Sequence, residues 1–300
     1  MNQNWFLKVF PSGICIFVSK FTTIKNSFDM KIFLLFVFIL ANISLAQEIK
    51  FHGEFSPGNI IIAESENILH AQIDNKRLDV HEGKIVVFGF DRDDRDSYLL
   101  RIKLNNGKSL IKKIELPARA YKIQRINNMK QSLVTAPPSQ NERIVKERQI
   151  TSAAREKIGE LSEALYSTGF ERPVMGGRVT SIFGSQRILN GTPKNFHNGL
   201  DIAAPEGTPV YAMADGFVRL AADTFYYAGN NIILDHGQGL NSSYLHLSRK
   251  DVREGEYVKK GQKIGEIGTT GRSTGSHLHW SLGWFNRRID PECVLKIQFN

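Results

Sequence analysis

Cysteine is nearly absent: only Cys15 and Cys293 occur in 300 residues, which excludes a disulfide framework whatever the compartment. No apolar stretch is long enough for a lasting membrane span, since the one long run covers only residues 32–40. No His-Glu-x-x-His segment is present, so the helix that supplies the glutamate base of the common zinc proteases is missing. Clustered Lys and Arg interleaved with aromatics are lacking too, and nucleic acid is therefore not an expected partner. What is present is an ordinary globular balance of 41% hydrophobic, 10% aromatic and 23% charged residues, which excludes disordered, collagen-like and multi-span membrane chains. The length suggests about two domains.

The net charge is +9, but residues 1–46 hold four of the 39 basic and one of the 30 acidic residues, leaving 35 against 29, or +6. A modest excess of this kind suits an anionic polymer such as a cell wall, and equally a solvated surface. Met30-Lys31, the apolar run and Ser44-Leu45-Ala46 together form a secretory signal, with cleavage before Gln47 and translation starting at Met30. The mature chain is then exported, to the periplasm or beyond, with one thiol left. An uncleaved segment anchoring the chain to the inner membrane is the alternative. The residue immediately after Ala46 is Gln47, not cysteine, which argues against a lipid anchor.

A mainly β chain is expected in three parts after residues 1–46. Over residues 47–128, runs such as Ile60-Ile61-Ile62, Ile85-Val86-Val87-Phe88 and Tyr98-Leu99-Leu100 alternate with Pro57-Gly58, Asp91-Arg92-Asp93-Asp94 and Asn105-Asn106-Gly107, predicting a small antiparallel β-sandwich. His52, His70 and His81 there have no metal-ligand spacing and read as half-buried histidines. Residues 129–171 read as a helical linker. Ser139 and Glu142 have the offset of a capping box, and Ile144, Val145, Ile150, Ala154, Ile158, Leu161 and Leu165 form a stripe ending near Gly169, with a break near Thr151. Residues 172–300 read as an antiparallel β-sheet domain. Within it, Val252, Gly255, Val258, Gly261 and Ile264 mark a ribbon of short strands and tight turns.

Five of the eight histidines fall in this last part: His197, His236, His246, His277 and His279. His197 and Asp201 are four apart across Gly199, while His277 and His279, like Tyr244 and His246, are two apart. In extended chain each even offset puts both side chains on one face, so three segments can aim imidazoles and a carboxylate into one groove. Two His and one Asp suit Zn²⁺ with a fourth position left for water, whose pKa bound zinc lowers toward about 7. The remaining histidines are then the available bases.

In order along the chain, His197-Asn198-Gly199-Leu200-Asp201, Asp235-His236-Gly237, Tyr244-Leu245-His246-Leu247-Ser248, Gly261-Gln262-Lys263-Ile264-Gly265 and Thr270-Gly271-Arg272-Ser273-Thr274-Gly275-Ser276-His277-Leu278-His279-Trp280 resemble the lysostaphin-type zinc endopeptidases. The resemblance covers residues 172–292. Tyr121-Lys122-Ile123-Gln124-Arg125-Ile126 and Phe183-Gly184-Ser185-Gln186-Arg187 look like an exported Gram-negative branch with an extra amino-terminal β domain. The resemblance implies one zinc per chain on His197, Asp201 and His279, with His277 and His246 flanking the water and the scissile carbonyl. His277 is the expected base. It also implies hydrolysis of cross-links in peptidoglycan stem peptides, for a Gram-negative member those from D-alanine to diaminopimelate, whereas some relatives cut glycine bridges. One departure is visible: the family's proline before His-x-His is here Ser276. His236, without a ligand role, reads as structural.

Two other readings can be set beside this one. A catalytically silent family member that activates a separate wall hydrolase would be expected to lack ligands that this chain retains. The 252–268 ribbon resembles a lipoyl or biotinyl carrier hairpin, but Lys259 and Lys260 lack the flanking Asp or Met, and a carrier has no use for the metal set. The amino-terminal β domain is expected to dock on the wall, to contact a regulatory protein partner, or to cover the groove until released.

Overall fold

The computed structural model describes residues 7–9, 15–17, 49–129 and 131–299. The proposed signal over residues 30–46 lies outside the described residues. Contacts divide the chain into residues 1–47 and 48–300. In the first unit, strands Leu7–Val9 and Cys15–Phe17 pair antiparallel. No helix among the described residues is long and apolar enough to cross a membrane.

The second unit is mainly β. Its first part forms two antiparallel sheets. One contains Lys50–His52, Ile60–Glu64 and Ile85–Gly89, and the other Lys76–Leu78, Ile68–Ile73, Ser97–Leu104 and Ser109–Glu115. Strand Ser97–Leu104 buries every second residue, the period of a sheet with one face on a core. Ile60 to Ala63 and Ile85 to Gly89 are buried on both faces, which explains their unbroken apolar runs.

Ile123–Ile126 belongs to neither of these sheets. It pairs in parallel with Gln186–Leu189, which continues to Thr192–Pro193. The helix Asn141–Glu156 differs from the sequence expectation in two ways. Ser139 sits in a preceding 3-10 turn, Pro138–Gln140, and no side chain caps the helix, so the capping-box pattern is not used. The helix also runs unbroken through Thr151, whose hydroxyl donates to the Glu147 carbonyl at 2.9 Å, and ends at Glu156. Its stripe is narrow: Ala154, followed by Ile158 beyond the helix end, packs on Leu220 and Ile233, while Val145 and Ile150 are exposed.

The last part is a ten-stranded antiparallel sheet. Its spine runs Arg178–Ser181, Leu200–Ala203, His277–Trp284, Leu240–Lys250, Gly229–Asp235, Gly216–Phe225 and Tyr257–Val258. Lys263–Ile267 bridges Pro209–Tyr211 to Leu240–Lys250, and Arg287–Ile289 hydrogen-bonds His277–Trp284. Asp201 lies opposite His279, and Ala203 opposite His277. Three paired strands thus bring distant histidines to one end of the sheet.

Polar bonds join the first part to this sheet. Arg92 donates through Nε and Nη2 to the Gly184 carbonyl at 3.1 and 2.7 Å. Gln238 Nε2 donates to the carbonyls of Asp79 and Ile85 at 3.0 and 3.1 Å. Arg119 pairs with Asp290, and Arg287 with Asp94.

Candidate metal centre and groove

The metal-ligand geometry begins at Gly199. A Cβ there would stand 2.5 Å from the Trp280 carbonyl and 2.8 Å from His279 Nε2, so only glycine lets the strand come this close to the His279 ring. His197 lies in an irregular segment before strand Leu200–Ala203, not in a strand as the even spacing suggested. The convergence nevertheless occurs. His279 Nδ1 lies 2.8 Å from Asp201 Oδ1, and His197 Nε2 lies 2.9 Å from both Asp201 Oδ1 and His279 Nδ1. All three side chains are buried, and their ligand atoms lie within 4.8 Å of one another.

The protons decide what this cluster can hold. His197 Nδ1 lies 3.1 Å from the Ile182 carbonyl, which can only accept, so Nδ1 carries the proton and Nε2 faces the cluster with a lone pair. That lone pair meets Asp201 Oδ1 at 2.9 Å, an acceptor facing an acceptor. A positive centre between them resolves the conflict, and two imidazoles with one carboxylate are a donor set that fits a divalent transition metal. Burial pushes the His197 imidazole down to about 4, which keeps it neutral at pH 7 as a ligand must be. Burial opposes ionisation of Asp201, but the influence of the two imidazoles beside it outweighs this and holds the carboxyl well below the usual range.

A layer of partners orients these groups. Arg187 Nη2 donates to Asp201 Oδ2 at 2.5 Å and to Ser181 Oγ at 3.2 Å. Ser181 Oγ in turn lies 3.0 Å from His197 Nδ1 and donates to Gln124 Oε1 at 2.8 Å. Arg187, Ser181 and Gln124 were not identified as site residues from sequence. The signal lay in the Phe183-Gly184-Ser185-Gln186-Arg187 segment, which carried the family resemblance but no assigned role.

His246 and His277 stand beside the cluster, their ring centroids 4.8 Å apart. His277 Nδ1 is 2.8 Å from the Gly275 carbonyl and His246 Nδ1 is 2.9 Å from the Thr270 carbonyl, so both rings hold their proton at Nδ1 and have Nε2 free to accept another. His277 Nε2 lies 3.9 Å from Asp201 Oδ1. Burial, then the neighbouring His277, lowers the His246 pKa to about 3.

The shared face expected for Tyr244 and His246 is not observed. His246 has φ of 66°, and the pairing shifts register beside it, so the alternation breaks. Tyr244 is buried in the core, its hydroxyl accepting from the Met213 amide at 3.0 Å, while His246 faces the groove. His236 stays out of the groove, fully buried between the Asp215 carbonyl and Ser242 Oγ, each at 2.7 Å.

The five histidine and aspartate side chains line one groove of about 1120 Å³. Gln124, Ile126, Met129 and Arg148 from the preceding segment also line it, whereas no residue from 49–118 does. Arg148, Arg187, Lys194, Arg272 and Arg288 give its wall a positive field, against Asp201 as the one lining carboxylate among the described residues.

Comparison with known proteins converges on this region. Residues 195–291 match the profile of peptidase family M23. The chain is 44% identical over 106 residues to the peptidoglycan DD-endopeptidase ShyA of Vibrio cholerae, covering 35% of this chain and 24% of that protein. It is 38% identical over 122 residues to the DD-carboxypeptidase/endopeptidase Mpg of Neisseria meningitidis, covering 41% and 28%. The chain thus spans about a quarter of the length of these curated relatives. A putative peptidase M23 from Pseudomonas aeruginosa has a crystal structure that superposes with a TM-score of 0.59 at 26% identity, covering 81% of this chain and 96% of that one.

Proposed function

We propose, from the premise that residues 195–291 are a peptidase family M23 domain, that the chain is a zinc endopeptidase hydrolysing peptide cross-links of bacterial peptidoglycan, those from D-alanine to diaminopimelate. The observation that carries the reading is the convergence of His197, Asp201 and His279 within 2.9 Å of one another, beside two imidazoles with free Nε2 atoms. The relatives named DD-endopeptidases support the substrate class.

His197 Nε2, Asp201 Oδ1 and His279 Nδ1 would hold the zinc, which when bound supplies Lewis-acid polarisation and a water of lowered pKa. The chain's own groups then divide the proton work. His277, with Nδ1–H fixed on the Gly275 carbonyl, accepts a proton at Nε2 as the attacking water adds to the scissile carbonyl carbon. The same proton passes to the amide nitrogen as the carbon–nitrogen bond breaks, so the amine leaves neutral and His277 returns to its starting form. His246, its ring centroid 4.8 Å from that of His277, offers the second Nε2 and is the group placed to polarise the tetrahedral oxygen. The signal pattern over residues 30–46 supports export, which puts the enzyme in the compartment of its substrate.

The test is digestion of purified sacculi by the whole chain, with chelator, without it, and with zinc restored, followed by mass analysis of released peptides. Chelator-sensitive loss of cross-linked dimers is expected. Intact dimers after incubation with zinc-loaded protein would refute the reading.

A further inference from the structure

We propose that Arg272 binds the free carboxylate beside the scissile bond, so that the site selects D,D-peptide bonds whose released residue ends in a carboxylate. The inference rests on the endopeptidase reading above and assigns its substrate recognition to one residue.

The groove wall carries five cationic side chains, and its one carboxylate among the described residues, Asp201, is already engaged by two histidines and Arg187. Such a wall favours an anionic ligand. Arg288 also lies over a ring, that of Phe196 at 5.6 Å, but Arg272 is the one carried by the loop that leads into His277. Its guanidinium lies 4.4 Å over the Tyr227 ring, and its backbone amide donates to the Tyr227 carbonyl at 3.0 Å. The preceding Gly271, at φ of 72°, leaves room for only a hydrogen, since a Cβ would stand 2.3 Å from the Gly229 amide nitrogen. Thr270 Oγ1 donates to the Leu247 carbonyl at 2.8 Å and accepts from the Asn230 amide at 3.0 Å. A bridge between Gly268 and His277 closes the loop. One pinned loop therefore carries the carbonyl that orients His246, the guanidinium of Arg272, and His277 itself.

The guanidinium is half-buried, and no acidic partner for it is found among the described residues. Burial lowers its pKa; Tyr227 partly offsets this, and the charge of Arg187 adds to the lowering. Stacked on an aromatic ring with its planar fork free, it matches a carboxylate by two parallel N–H donors.

The chemistry of the bond identifies that carboxylate. In a link from D-alanine to the D-centre of diaminopimelate, the amide nitrogen belongs to a carbon bearing an unsubstituted carboxylate. A terminal D-alanyl-D-alanine offers the same group in the same place. In a glycine bridge the corresponding carboxyl is tied up in the next amide. A positioned arginine therefore accepts the first two and rejects the third, and one site would perform both endopeptidase and carboxypeptidase cleavage.

The experiment compares kcat and KM of the zinc-loaded whole chain on a cross-linked muropeptide dimer with the D-centre carboxylate free and on the same dimer with it converted to a carboxamide, for wild type, Arg272→Gln and Arg272→Lys. The wild type is expected to lose about 30-fold in kcat/KM on the carboxamide, chiefly through KM, the size of one charge-assisted contact. Arg272→Gln should lose a similar factor on the carboxylate and become indifferent to amidation, with unchanged zinc content, and Arg272→Lys should recover part of the preference. Equal cleavage of both dimers by the wild type overturns the proposal while leaving the endopeptidase reading intact, and this comparison needs no variant to fold. Undiminished preference in Arg272→Gln also overturns it. Cleavage of neither dimer by the wild type overturns the endopeptidase reading, and this one with it.

Discussion

Replacing Gly199 by alanine tests whether the metal centre is set by backbone approach. The added Cβ would stand 2.5 Å from the Trp280 carbonyl oxygen and 2.8 and 2.9 Å from His279 Nε2 and Cε1. Ordinary contact lies near 3.5 Å, so the ring or the strand must move by about 0.5 Å or more. His279 Nδ1 now sits 2.8 Å from Asp201 Oδ1, and metal–ligand distances tolerate only about 0.2 Å. Zinc affinity should therefore fall by about 10- to 100-fold, the range seen when groups that orient ligands are disturbed. Overpacking costs about 1–3 kcal/mol, whereas a strain-free Gly→Ala change stabilises by about 0.4–1 kcal/mol. A net loss of about 1–2 kcal/mol in the metal-free protein is the expected sum. Competition against a fluorescent chelator reads the affinity, and urea denaturation of the metal-free chain reads the stability. Zinc binding within threefold of wild type, together with unchanged or raised stability, would refute the claim that Gly199 positions His279.

Three further outcomes are expected. His279→Ala should lose zinc, because only His197 and Asp201 remain, whereas His277→Ala should retain zinc and lose turnover; metal analysis after gel filtration distinguishes them, and the reverse pattern would exchange the two roles. His236 is fully buried, and burial lowers its pKa to about 4 against an ordinary 6.5. The unfolded chain therefore binds its proton first as pH falls. The contribution is complete above pH 6.5 and is lost on the way down to pH 4, on the order of 3 kcal/mol. Denaturation at pH 7 and pH 4 should show His236→Gln losing less stability than wild type by about this amount, and equal losses would contradict it. Dialysis against a chelator should reduce thermal stability reversibly, because the ion binds the folded cluster and not the unfolded chain; a scan unaffected by chelator and by zinc would argue against a resident metal.

The positions of the five groove residues were legible because ligand-type side chains recur at short, ordered spacings, and motif order tied the spacings together. The local geometry behind them was not. The even offset of Tyr244 and His246 implies a shared face only in regular strand, and the left-handed backbone at His246 breaks that rule in a way no spacing reveals. The offset of His197 and Asp201 picked out two side chains that converge, but through the wrong element, since His197 precedes the strand and Gly199 bends the chain between them. Arg187 escaped notice because its role lies in a long-range bond to Asp201, and an arginine in sequence looks the same whether solvated or paired. The helix ends at Glu156, short of the expected stripe, because Ile158, Leu161 and Leu165 continue the apolar rhythm into turns, where Ile158 packs on Leu220 and Ile233 and the Leu165 amide donates to the His236 carbonyl. Burial, not helicity, sets that rhythm.

The pairing of Ile123–Ile126 with Gln186–Leu189 bears on how the ten-stranded sheet could be isolated. A fragment beginning at residue 172 looks self-sufficient by motif, but it would lose that parallel strand, whose Gln124 side chain ends the chain of bonds running through Ser181 to His197. It would also lose Glu147, whose carboxylate accepts from the Tyr226 amide at 2.8 Å, and Ala154 and Ile158 from the apolar cluster over Leu220 and Ile233. Tyr226 adjoins Tyr227, the ring beneath Arg272, so the losses reach both ends of the groove. Removing the residues before 119 is the milder cut, because none of them lines the groove. That cut still unpairs Arg287 from Asp94 and Gln238 from the Asp79 and Ile85 carbonyls. The 119–300 fragment should accordingly keep zinc affinity near that of the whole chain while the 172–300 fragment binds it more weakly, and equal affinities measured by chelator competition would show that the parallel strand does not support His197.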